Sequence, residues 1–241
     1  MNLRSFSLSR LQALLLLAWL GVLLFGSVCA ALPSEAPPAG HSHQQSTVRP
    51  IEKIEYSEFN HHTAGMGVLF IGFLALGMEA GVARRPDFRA LLWLWPFSWF
   101  LLGGFLFVRN DPDNWPWGPI GLLDSWRDPE ALQHQIFVVI VVTIGMIEGL
   151  RVGHRLNGRG WKFFFPALGI GAGLLLGLHA QVHALTPRVH LQHTVMATLA
   201  ILLGVSKLLR ERGVLNGRYG SLVWPILMIL LGAQLAFYNE H

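Results

Sequence analysis

The chain has one cysteine in 241 residues, and only 13% of its residues are charged, against roughly 25% in a soluble domain. The first scarcity removes disulfides and thiolate metal sites from the mature chain, because Cys29 falls at the end of a secretory-type leader. The second leaves too few solvated side chains to cover a protein of this size, so much of the surface is expected to face lipid. Catalytic signatures are missing as well. There is no Gly-rich phosphate loop, no His-Glu-x-x-His helix, no Cys-x-x-Cys pair and no nucleophile elbow. Nothing specific therefore supports a hydrolase, and no enzyme activity is indicated.

What is present is apolar. Hydrophobic residues make up 52% of the chain and the mean hydropathy is +0.45. Several apolar stretches approach the 20 or so helical residues that cross a hydrocarbon core. The sequence predicts an all-α fold: a polytopic transmembrane bundle of six helices after a cleavable signal peptide. Arg4 and Arg10 form the basic region of that signal, Leu11 to Phe25 its apolar core, and Val28-Cys29-Ala30 the cleavage site, so residues 1–30 are the leader. Val28 before Cys29 makes a poor acylation site; an uncleaved anchor helix is the alternative. The expected spans are roughly 64–83, 90–108, 132–150, 163–182, 193–209 and 221–238.

Charge sets the expected orientation. Eleven basic residues flank alternate loops (Arg84, Arg85, Arg89; Arg151, Arg155, Arg159, Lys162; Lys207, Arg210, Arg212, Arg218). The other side holds Arg49, Lys53, Arg109, Arg127 and Arg188. The positive-inside rule then puts the mature N- and C-termini on the periplasmic side of a bacterial inner membrane. The pI near 9.7 does not imply nucleic acid, because these charges sit in short interhelical loops. Residues 31–60 contain Pro, Ser and Gln without apolar periodicity in their first part and read as a flexible periplasmic tether. The domain 61–241 contains a Trp-rich loop, 109–133, expected to cap the outer end of the bundle, with Trp115, Trp117 and Trp126 at the membrane interface. Gly169, Gly173 and Gly177, spaced by four, form a packing stripe.

Against this background the histidines stand out. Ten of eleven (all but His154) fall on the expected periplasmic side, contributed by nearly every segment. His179 and His183 share one helix face, and imidazoles four apart can reach one ion. His190 and His193 can do likewise if their helix starts early. His61 and His62 point about 100° apart, and His62 is the expected inward one because Met66 lies one turn below it. Met196 lies one turn below His193. The candidate metal ligands are thus His62, His134, His179, His193, Met66 and Met196, with His183 in reserve. Imidazole with thioether suits copper, and Cu(I) where methionine joins, although zinc and nickel also take imidazole. Glu79 and Glu148 lie at the other ends of their helices, where an ion pair of Glu148 with Arg151 competes with an exit site or proton relay.

The run Glu58-Phe59-Asn60-His61-His62-x-Ala64-Gly65 resembles the copper-resistance D (CopD-like) integral membrane proteins. So do Trp115-Pro116-x-Gly118-Pro119-x-Gly121, Asp128-Pro129-Glu130-x-Leu132-Gln133-His134, His179 and His193-Thr194. The likeness extends from Glu58 to the C-terminus. It implies an inner-membrane protein that binds copper at the periplasmic face through His62, His134, His179 and His193. Transport for uptake or resistance is the stronger form of that reading, and a periplasmic copper-binding protein would be the partner. The chain departs from the family at His179-Ala180-Gln181, where a His-x-His is expected, which leaves His183 as a substitute. Two other classes compete. One is a haem b electron-transfer protein with two axial histidines, such as His134 with His179 or His193. The other is an assembly subunit whose histidines bind nothing.

Overall fold

Residues 50–82, 90–109, 111–113, 115–127, 129–182, 186–217 and 219–240 are described by a computed structural model. The expected leader, the tether up to residue 49, His183 and His241 lie outside them. The described residues are mostly helical, with turns between the helices and no β-strand. Six long helices stand in the places of the six expected spans: α1 (Pro50–Glu79), α2 (Ala90–Val108), α3 (Pro129–Val152), α4 (Phe164–Val182), α5 (Pro187–Glu211) and α6 (Val223–Ala236).

Local chemistry explains where they start and stop. Thr186 caps α5 by accepting from the Val189 amide at 3.3 Å, and Pro187 follows at the first turn, where its missing N–H costs nothing. Gly81 after α1 and Gly213 after α5 take positive φ, the left-handed conformation that ends a helix and that glycine adopts without steric penalty.

Two expectations are corrected. Residues 50–60, expected to close a flexible tether, are helical, because α1 begins at Pro50. The first turns of α1 gain partners that a local reading cannot see. Lys53 pairs with buried Asp113 at 2.5 Å, and Asn60 donates to the Arg109 carbonyl at 2.8 Å. The Arg109 guanidinium lies 4.1 Å from the centre of the Tyr56 ring. The loop after α2 is therefore laid along the first turns of α1. Helix α5 likewise begins six residues earlier than expected, so His190 and His193 share one helix.

Among the described residues, four segments are long and apolar enough to cross a membrane: Glu52–Glu79, Ala131–Val152, Trp161–Leu178 and Pro187–Glu211. The apolar helices Leu92–Val108 and Gly220–Ala236 are no longer than 17 residues, about 25 Å at 1.5 Å per residue.

Each helix packs on its chain neighbours, and α6 returns to pack on α1, so the six form a closed up-and-down ring. The most extensive contacts are α4 with α5, α1 with α6, and α2 with α3, and glycines let these backbones approach. A Cβ on Gly204 would lie 2.8 Å from the Pro166 carbonyl oxygen, and one on Gly173 2.9 Å from that of Ala197. One on Gly232 would lie 2.6 Å from the Leu69 nitrogen. The glycine stripe of α4 thus joins it to α5, as small residues do between membrane helices.

The ring is filled, not hollow. Ile71, Leu74, Trp95, Trp99, Ile144, Phe165, Leu203, Trp224 and Met228, drawn from all six helices, form one core. Large apolar side chains also point outward, Phe73 at 58% and Leu101 at 59% exposure among them. That is the expected surface for lipid rather than for water.

Candidate metal centre at the histidine end

The even alternation of helix direction collects the N-terminal ends of α1, α3 and α5 and carries three histidines with them: His61, His134 and His193. His193 is buried at 4% exposure. The His61 and His193 ring centres stand 6.0 Å apart with planes at 81°, and His134 lies within electrostatic reach of His61. Both His61 and His193 donate Nδ1–H to the carbonyl one helical turn back, His61 to Ser57 at 2.8 Å and His193 to Val189 at 2.9 Å. A proton held on Nδ1 leaves the lone pair on Nε2. This is the arrangement that orients a ligating imidazole and raises its basicity.

The separation fits a shared ion. A ligating nitrogen stands about 2.0–2.1 Å from the metal and about 1.1 Å from its ring centre. Two imidazoles on one ion thus have ring centres at most about 6.4 Å apart. The pair is the whole preformed feature, since no group of three or more His, Cys, Asp or Glu side chains among the described residues is disposed to hold an ion.

The inward histidine of α1 is therefore His61, not His62. His62 is exposed and donates Nε2–H to the Tyr238 carbonyl at 2.7 Å. Met66, one turn further on, is 62% exposed and faces away from the cluster. The physical reason lies in α6, which packs on the α1 face bearing His61, Gly65 and Gly72 and turns the His62–Met66 face outward. Met196 points inward as expected, at 1% exposure, in a small core with Val189 and Tyr238. His179 falls in the last turns of α4 at the same end, and its side chain and His183 lie outside the described residues.

Tyr238, which the sequence did not single out, completes the site, and Glu58 and Gln192 hold the segment that follows it rather than the histidines. Tyr238 follows α6, turns back into the protein at 2% exposure, and stacks on His61 with ring centres 3.9 Å apart. Its edge meets His193 at 5.6 Å. Its hydroxyl donates to Glu240 at 3.1 Å. Burial, and then the Glu240 charge, hold the phenol protonated well above the usual tyrosine range. The available signal was the run Tyr238-Asn239-Glu240 directly behind an apolar helix.

At the opposite, basic end both expected carboxylates are paired. Glu79 accepts from the Trp224 indole at 3.0 Å and from Arg210 at 3.3 Å, with Lys207 at 3.9 Å. Glu148 meets Arg151 at 2.6 Å and accepts from the Trp95 indole at 3.3 Å. The Trp95 and Trp224 rings touch edge to face at 6.0 Å. Ion pairs anchored on the aromatic core thus occupy the place where an exit site was weighed.

Fold and site together define an all-helical bundle with membrane-length apolar helices and an imidazole cluster at one end. No protein-family model matches the chain, and searches of curated proteins and of solved structures likewise return no match.

Proposed function

We propose that the chain is a copper-handling membrane protein that binds the ion at its histidine end. In this reading all six helices cross a bacterial inner membrane, the leader is removed, and both mature termini lie in the periplasm. The observation that carries it is the His61–His193 pair, two imidazoles 6.0 Å apart on facing helices, each with Nδ1 tied to its own backbone. His134 supplies a third nitrogen nearby, and the buried Met196 a thioether one turn below His193. Two imidazoles at near-linear spacing suit Cu(I), and thioether favours it further.

Binding is supported better than passage. Below the histidines the centre of the ring is occupied by Trp99, Trp95, Phe165 and Trp224. Thr198 and Ser206 return their hydroxyls to carbonyls of their own helix, so they offer an ion no polar route. The haem b alternative needs two rings on opposite sides of a macrocycle, whereas Tyr238 lies against both His61 and His193.

The test is copper content after Cu(I) loading of full-length protein purified without a polyhistidine tag. Wild type is expected to retain one ion, and His61→Ala with His193→Ala to retain none. Copper held by the double variant, or none held by wild type, would reject the reading. A Soret band in the same sample would replace the ion with haem.

A further inference from the structure

The three residues behind α6 do more than fill space. Tyr238, Asn239 and Glu240 are fastened in succession by side chains of two other helices. His62 of α1 donates to the Tyr238 carbonyl at 2.7 Å. Gln192 of α5 holds Asn239 at both ends, donating to its carbonyl at 2.7 Å and accepting from its amide at 3.1 Å. Glu58 of α1 accepts from the Glu240 amide at 2.8 Å. The Tyr238 hydroxyl closes the loop on Glu240.

The result is a strap from α6 across the outer ends of α1 and α5, with the Tyr238 ring laid over His61 and against His193. Phe237, just before it, is 83% exposed, so the chain reverses from outward to inward within one residue. Tyr238 itself is held by its packing with Val189 and Met196 and by its amide, which donates to the Leu235 carbonyl at 3.2 Å. Asn239 and Glu240, by contrast, are fastened by side-chain hydrogen bonds near the end of the bundle that water can replace on opening. Segments held in this way belong to the low-stability end of a fold's local openings.

We infer that the strap is the door of the histidine site. An ion reaches or leaves His61 and His193 when Tyr238 lifts, and Glu58 and Gln192, which hold the strap from α1 and α5, set the rate. This rests on the copper reading above for what passes the door, but not for the door itself.

Two measurements on full-length protein in detergent separate the two. The first is release of bound Cu(I) to a chromophoric chelator. Glu58→Ala with Gln192→Leu is expected to release at least tenfold faster than wild type at unchanged stoichiometry, while Glu58→Gln, which keeps an acceptor for the Glu240 amide, stays near the wild-type rate. The second is the rate of His193 carbethoxylation in metal-free protein, read by mass spectrometry and expected to rise by a similar factor in the double variant.

Should the double variant misfold, Glu58→Cys with Glu240→Cys in a Cys29→Ser background is expected, once oxidised to the disulfide, to suppress His193 modification until it is reduced. Unchanged release together with unchanged His193 modification overturns the strap, as does a cross-link without effect. A wild type that takes up no copper overturns the copper reading alone, and His193 accessibility still decides the strap.

Discussion

An imidazole that gives its Nδ1 proton to a carbonyl one turn back is fixed in ring orientation and tautomer. His61 and His193 are both in that state; their neighbour His62 spends its Nε2 proton on Tyr238 instead. The two adjacent histidines of α1 should therefore separate in a binding assay. His61→Ala is expected to abolish or strongly weaken copper retention, whereas His62→Ala retains the ion; equal loss in both would reject the assignment of His61 as the ligand.

Tyr238 makes a prediction about pH. Its folded pKa is raised above the ordinary value of 10.0 by burial and by Glu240, so its contribution to stability is complete below about pH 10. The contribution is lost as pH rises toward the higher folded value, because the unfolded chain gives up the proton first. Alkaline thermal melts should show this loss in wild type and much less of it in Tyr238→Phe.

At the basic end, Glu79→Gln leaves Lys207 and Arg210 without their carboxylate. A cost of about 2 kcal/mol is expected, below that of a fully buried pair because Arg210 is about a third exposed. It is read as a lower denaturation midpoint. A midpoint equal to wild type would reduce the network to surface pairing.

Between helices the decisive groups are absent side chains. The closest approach of α4 to α5 leaves no room for a methyl group at Gly204 or Gly173, so Gly204→Ala must push the helices apart or distort them. Overpacking of this kind costs about 1–3 kcal/mol. The expected result is a lower melting temperature in detergent, with a larger drop than for Gly171→Ala on α4, where an added Cβ meets nothing. The α4 stripe was readable from its four-residue spacing. Its partner, Gly204, was not, because a single glycine in an apolar helix has no period. The start of α1 was hidden for a related reason: Lys53, Tyr56 and Asn60 look like polar linker until Arg109 and Asp113 arrive from another segment.

For the whole molecule, the ring separates two chemically distinct ends. Imidazoles, Tyr238 and the tryptophan-rich loop lie at one, and paired carboxylates amid arginine and lysine at the other. The charge asymmetry predicts which end faces outward. With Cys29 replaced, a cysteine at Trp117 should react with a membrane-impermeant maleimide in intact spheroplasts, and one at Asn157 only after lysis. The reverse pattern would invert the proposed orientation, and labelling of both from outside would reject the proposed set of spans.

Composition and apolar run length by themselves determined the helical class and where the six helical segments lie, because a helix that buries its length among apolar neighbours needs a long uncharged stretch whatever those neighbours are. They also marked His193 and Met196 as one inward-facing pair. The choice of His61 over His62, the reversal of Met66 to the outside and the return of Tyr238 over the site were decided by tertiary structure alone. Adjacent residues on a helix differ by 100°, and only the packing of α6 on α1 says which of the two points inward. A strap built from Tyr238, Asn239 and Glu240 likewise exists only once α1 and α5 stand on either side of α6 to hold it.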